Sequence, residues 1–146
     1  MVMTTAQNES KQSTPQLSVL LADDHVRILA SAKELLCTRY RVVAAVTDGR
    51  SALEAAEKLH PDLVILDITM PELDGISTAR ELRRSGSNAK ILFLTVHEDQ
   101  ANIDAARSCG NGYVLKSRMY SDLRQAIEEA LTGRFFVSPH RSEPKR

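Results

Sequence analysis

Five residues stand where short apolar runs give way to chemistry. Asp23 and Asp24 follow "LSVLLA", Asp67 follows "LVIL", Thr95 ends "AKILFLT" and Lys116 ends "GYVLK". If the runs lie side by side and point the same way, three carboxylates, a hydroxyl and an ammonium share one crevice. Three clustered carboxylates repel, and one would have to take a proton unless a cation intervenes. Oxygen-only ligands suit a hard ion such as Mg²⁺, which keeps several waters and uses one or two carboxylates. Three negative charges then meet two positive charges from the ion and one from Lys116. A phosphoryl group placed there would find cation, ammonium and hydroxyl around its oxygens, the electrostatic clamp that phosphoryl transfer needs. A carboxylate can itself be the nucleophile, giving an aspartyl phosphate.

That crevice requires a parallel sheet. Strand candidates are 17–22, 40–46, 62–67, 89–95 and 112–116. Between them, apolar residues recur at helical spacing: Ile28, Leu29, Ala32, Leu35 and Leu36, then Ala52, Leu53, Ala56 and Leu59. Leu73, Ile76, Ala79 and Leu82 mark a third helix, about 98–108 a weak fourth, and Leu123 to Leu131 a clear fifth ending at Gly133, a left-handed cap. Near-continuous apolar strands are the kind buried on both faces. Strands alternating with helices imply right-handed crossovers and a doubly wound α/β sheet. Sites in such sheets form at the carboxyl ends of the strands.

Each residue also has a plainer reading. Asp23 or Asp24 could cap the first helix. Asp67 could start a loop, and Lys116 could be an ordinary surface lysine. Glu72 reads as a first-turn helix acid, and Asp74-Gly75 after Pro71 as a turn or helix-start pair. His25, His60, His97 and His140 show no ligand spacing, and none is assigned to metal. Cys37 and Cys109 read as buried, reduced thiols.

The chain has 146 residues, 42% of them hydrophobic, enough for one domain with a real core. Lys+Arg and Asp+Glu balance at 19 each, so no global field pulls the chain toward nucleic acid. No apolar run of about 18 residues exists to span a membrane, and the polar N-terminus lacks the apolar core of a signal peptide. The expected organisation is a disordered leader over 1–16, one domain over 17–134 and a linker or tail over 135–146, in the cytoplasm.

The motifs "ADDH", "VILDITMPELDG", "LFLTVHED" and "GYVLKS", in this order, resemble the receiver domain of bacterial two-component response regulators. The resemblance covers about Leu17 to Gly133. The "LTVHED", "GYVLKS" and "EEALTGRFFVSP" stretches look most like the NarL/FixJ type. It implies a flavodoxin-like five-stranded parallel sheet, order 2-1-3-4-5, with five flanking helices. By position, Asp67 matches the phosphoacceptor, and Asp23 and Asp24 the Mg²⁺-binding pair. Thr69 matches the residue lending a backbone carbonyl to the metal. Thr95 and Lys116 match the groups that contact the phosphoryl, and Tyr113 the rotating aromatic. Thr69 and His97, two residues after Asp67 and Thr95, would flank the phosphoryl group and tune its hydrolysis. A sensor histidine kinase is the implied donor, and a homodimer an implied product. The implied output is a changed face on the fourth helix, fifth strand and fifth helix. "EDQANIDAARSCG" has only Ile103 as a large apolar residue, so the fourth helix is either loosely held or simply packs close.

Two departures stand out. Ser117 follows the lysine where many receivers have proline. Chains of this type usually continue into a helix-turn-helix domain, whereas this sequence ends at "SPHRSEPKR". It is therefore read as a stand-alone receiver, or as the receiver part of a DNA-binding transcriptional regulator with no direct nucleic-acid binding of its own. Two other classes compete. An aspartyl-nucleophile phosphatase would place an acid two residues after Asp67, where Thr69 stands. A flavin or nucleotide module would place a Gly-rich loop after the first strand, where "ADDHVRI" stands.

Overall fold

The computed structural model describes residues 16–140. The expected leader therefore lies outside the described residues except for its last position, as do residues 141–146 of the expected tail. The strands are β1 (Ser18–Ala22), β2 (Arg41–Val46), β3 (Leu63–Leu66), β4 (Lys90–Thr95), β5 (Gly112–Leu115) and β6 (Phe136–Val137). The helices are α1 (Val26–Leu36), α2 (Gly49–Leu59), α3 (Gly75–Arg84), α4 (Gln100–Cys109) and α5 (Met119–Leu131). All strands pair in parallel in the order β2-β1-β3-β4-β5-β6.

Alternation along the strands divides the core into two layers. Leu20, Ala22, Val64, Leu66, Ile91, Phe93 and Tyr113 pack with α2, α3 and α4. Val19, Leu21, Leu63, Ile65, Leu92, Leu94 and Val114 face the other way, onto α1 and α5. Both faces of β1, β3, β4 and β5 are thus buried, as their continuous apolar runs predict. β2 differs: it is an edge strand, and Arg41 and Ala45 are exposed.

The five-stranded expectation is one strand short. After Gly133, whose φ of +86° reverses the chain as expected of a left-handed cap, Phe136–Val137 adds to the β5 edge as β6. The segment assigned to a tail therefore begins inside the sheet. Ser138 continues the attachment: its N–H donates to Tyr113 O (2.9 Å). Its hydroxyl accepts from Leu115 N (3.1 Å) and donates to the buried Asp122 Oδ2 (2.7 Å). Phe135 packs under the Arg107 guanidinium of α4, 4.6 Å from ring centroid.

Two further readings are corrected. Cys37 is exposed, because it lies just past the end of α1 rather than on its inner face; Cys109 is buried as expected. Glu72 is not in a helix. It sits at φ +70° in the β3–α3 loop, and α3 starts at Gly75 with Asp74 as its cap, accepting from Ser77 N (2.8 Å). The thin apolar face of α4 is confirmed, since its buried residues are Ile103, Ala106 and Cys109. Its C-terminal end is nonetheless pinned. Arg83 Nε donates to Cys109 O (3.1 Å), and other Arg83 nitrogens donate to Ala89 O (2.7 Å) and Asn111 Oδ1 (2.7 Å).

Candidate functional site

The carboxyl ends of β1, β3 and β5 deliver Asp23, Asp67 and Lys116 to one point. The backbone fixes them before any side chain does: Asp67 N donates to Ala22 O (2.9 Å), and Asp23 N to Val46 O (3.0 Å). Gly75 closes the loop beneath. Its N–H donates to Ile68 O (2.7 Å), and a Cβ there would lie 2.1 Å from the Asp67 carbonyl oxygen. Only glycine lets the start of α3 come so close.

Asp23 and Asp67 are 3% and 2% exposed. Two buried carboxylates need a counter-charge. Lys116 supplies it, its side chain 6% exposed, with Nζ 3.1 Å from Asp67 Oδ2 and 2.9 Å from Asp23 Oδ2. Burial raises the Asp67 carboxyl above the ordinary carboxylate range, and the Asp23 charge raises it further. Lys116, by hydrogen bond and charge, and the Thr69 N–H work against that rise. Asp67 is therefore a carboxylate short of positive charge.

One ammonium does not complete the site. Lys116 Nζ directs its hydrogen bond on Asp23 to Oδ1 (3.1 Å). The Oδ2 atom, though close to the charge, stays buried without a hydrogen-bond donor. Asp24 stands beside it, more exposed, and ligand atoms from Asp23, Asp24, His25 and Asp67 lie within 4.8 Å of one another. An orphaned carboxylate oxygen amid further acids fits a small divalent cation, and the carboxylate donors suit Mg²⁺.

Asp23, Asp24, Asp67 and Lys116 are thus brought together. Thr95 is at the end of β4, fully buried, and its hydroxyl accepts from His97 N (3.1 Å). Thr69 Oγ1 and His97 Nε2 are 2.8 Å apart, joining the β3–α3 and β4–α4 loops over the site. Tyr113 is fully buried, and its hydroxyl donates to His97 O (2.9 Å). The residue matched to the family's rotating aromatic is thus turned inward here. His97 is therefore the junction of Thr69, Thr95 and Tyr113. His25 was missed: its Nδ1 is 3.0 Å from Lys116 Nζ and 3.2 Å from Asp23 Oδ1. The one signal for it was its place immediately after the acidic pair. Neither acid of that pair caps α1, which starts after His25 without a side-chain cap.

The response regulator receiver domain model matches residues 19–128. The chain is 32% identical over 124 residues to the nitrate/nitrite response regulator protein NarL of Escherichia coli, covering 83% of this chain and 57% of NarL. It is 30% identical over 135 residues to the transcriptional regulatory protein DegU of Brevibacillus brevis, covering 90% of this chain and 55% of DegU. The chain thus spans little more than half the length of these relatives. The crystal structure of a two-component response regulator of the LuxR family from Aurantimonas superimposes with a TM-score of 0.80 at 35% identity, covering 85% of this chain and 91% of that one. No helix among the described residues is long and apolar enough to cross a membrane. The chain belongs to the response regulator receiver domains, of the NarL/LuxR type.

Proposed function

We propose that Asp67 accepts a phosphoryl group from a phosphohistidine of a sensor histidine kinase, and that the chain is a signalling switch rather than an enzyme acting on a separate substrate. The observation that carries this is the Asp67 carboxylate itself, buried at a strand end, short of positive charge and 3.1 Å from the Lys116 ammonium. An Asp67 carboxylate oxygen attacks phosphorus in line. The P–O bond forms as the P–N bond to the donor imidazole breaks, and the imidazole leaves with the electron pair and is protonated. Lys116 neutralises charge on the acceptor side, and the product carries about −2. Mg²⁺ held by Asp23, Asp24, Asp67 and the Thr69 carbonyl would supply the remaining charge neutralisation. The phosphatase alternative is not favoured, since Thr69 meets His97 where that mechanism needs an acid.

The readout runs through His97. A phosphoryl group competing for the Thr95 hydroxyl would take it from His97 N, and Tyr113, bonded to His97 O, would feel the shift in the β4–α4 loop. The N-terminal half of α4 moves while Arg83 holds the other end. The α4–β5–α5 face then presents a new surface, for a second copy of the chain or another protein in the cytoplasm. By likeness to DegU and NarL, the chain serves as the receiver part of a transcriptional regulator, DNA contact falling to a helix-turn-helix domain outside the matched region. The Thr69–His97 contact screens the acyl phosphate from water and tunes its lifetime.

The test is intact mass after incubation with Mg²⁺ and a small phosphodonor. The wild-type chain should gain one phosphoryl group, and Asp67→Asn none. Equal labelling of the two would remove Asp67 from this role. Exchanging Thr69 and His97 together for other polar residues should shorten or lengthen the phosphoryl half-life; an unchanged half-life would refute their rate-tuning role.

A further inference from the structure

The phosphoryl chemistry makes no use of His25, yet its imidazole stands among the acids. Nδ1 lies 3.2 Å from Asp23 Oδ1, 3.3 Å from Asp24 Oδ1 and 3.7 Å from Asp67 Oδ2. An ion with bonds of about 2.1 Å holds adjacent ligand atoms about 3.0 Å apart at right angles and about 3.4 Å apart at the tetrahedral angle. The imidazole nitrogen is therefore spaced from the Asp23 and Asp24 oxygens as a ligand is spaced from its neighbours in one coordination shell, with Asp67 a few tenths of an ångström farther out. With the ring proton on Nε2, the Nδ1 lone pair meets Lys116 Nζ at 3.0 Å. That is the tautomer in which Nδ1 can bind a metal.

The backbone also aims this ring. His25 N donates to Asp23 Oδ1 (2.8 Å), which folds the residue back over the acid. It occupies the cap position of α1, where Ser, Thr, Asp or Asn would bond the helix N–H groups, but its side chain makes no cap hydrogen bond. The side chain is thus withheld from the helix and turned to the site. Asp23 Oδ2 is buried and outside any hydrogen bond, with the Lys116 ammonium 2.9 Å away.

We infer that His25 is a nitrogen ligand of the divalent-cation site and sets its metal preference. Carboxylates and carbonyls alone favour Mg²⁺, whereas an imidazole favours later first-row ions such as Co²⁺, Ni²⁺ and Zn²⁺. The chain should therefore bind these ions more tightly, relative to Mg²⁺, than the acids alone would allow. This rests on the cation site of the proposed function.

The test compares the full chain with His25→Gln and Asp24→Asn. Co²⁺ binding is followed by its visible absorption, and Mg²⁺ binding by calorimetry. His25→Gln should weaken Co²⁺ at least about 10-fold and leave Mg²⁺ within about 3-fold, an oxygen-bound ion having little use for the imidazole. In a long-range ¹H–¹⁵N spectrum, Zn²⁺ should shift the imidazole nitrogens that are missing from His25→Gln. Equal weakening of both ions, unchanged Co²⁺ binding, tighter binding of either ion, or an unshifted ring would overturn the role of His25. If Asp24→Asn weakens both ions while His25→Gln weakens neither, only that role fails. If Asp24→Asn weakens neither, the acid site itself is wrong.

Discussion

Replacing Lys116 with methionine keeps the stem and removes the charge between two buried acids. At an effective dielectric constant of about 20, unit charges about 3 Å apart attract by about 5–6 kcal/mol. Lys116 makes two such pairs, at 2.9 and 3.1 Å. Against that gross gain stands the several kcal/mol spent on drying the ammonium. Loss of one partner from a buried ion pair nets about 3–5 kcal/mol, because the other charge is stranded. Lys116→Met should lose that much stability in urea unfolding at pH 8 without divalent ion. The direction with pH follows from Asp67. Its carboxyl is raised in the folded state, so the cost of its charge is present above the folded value and relieved as pH falls through it. Without Lys116 the carboxyl rises further, and the deficit should shrink as pH falls through that higher value. Mg²⁺ should restore part of the loss, binding the folded state alone. In an Asp67→Asn background the loss should fall by more than half. A loss below about 1 kcal/mol, or one undiminished in that background, would refute a charge-bridged site.

Gly75→Ala puts a methyl against the Asp67 carbonyl, which is backbone and cannot swing aside; it should cost about 1–3 kcal/mol in unfolding and slow phosphoryl uptake measured by intact mass. Ser138→Ala removes the acceptor of Leu115 N and the donor to Asp122; hydrogen exchange should lose protection at Leu115 and across β6 while the β1 and β3 amides keep theirs. Burial alone would raise the Asp122 carboxyl, but hydrogen bonds from Arg118, Ser138 and Ser121 outweigh it and hold it below the ordinary value. Its contribution is present above the unfolded value and lost as pH falls through the folded one. Asp122→Asn should therefore cost stability at neutral pH and flatten the acid limb of a urea-unfolding pH profile; an acid limb parallel to wild type would refute this.

The acids and Lys116 were legible because each ends an apolar run, and a parallel sheet aligns such ends. The same logic found the two core layers, whose alternation is local. Two features escaped because they depend on contacts distant in sequence. β6 is two residues long, too short for a pattern, and exists through its pairing with β5. Arg83 reads as one of two adjacent helix arginines. Only the fold brings Cys109 O and Asn111 within its reach. His25 has no partner at helical spacing and is turned into the site by a hydrogen bond to Asp23, two residues earlier. Glu72 followed a sound helix-start rule, but its φ of +70° turns the chain there, and the helix starts only at Gly75, capped by Asp74.

These distant contacts also say where the domain can move. β5 carries Tyr113 and ends at Lys116, and its outer edge is closed by β6 and Ser138. The ring of Phe135 lies against Arg107 on α4. The segment after α5 is thus fastened both to the strand that leads to the site and to α4, whose buried residues are Ile103, Ala106 and Cys109. A shift of α4 cannot leave that segment untouched, since the Arg107–Phe135 contact spans the two. Stacking of this kind at an exposed site is worth about 0.5–1 kcal/mol, small enough to yield to the charge that the proposed phosphorylation would add at Asp67. The Ser138–Asp122 hydrogen bond is buried and costlier to break. The weak contact should therefore give first and the buried one persist, so that Phe135 is freed while Ser138 stays docked. Comparing hydrogen exchange at Phe135 and Ser138 before and after phosphorylation checks that order, and simultaneous release of both would refute it.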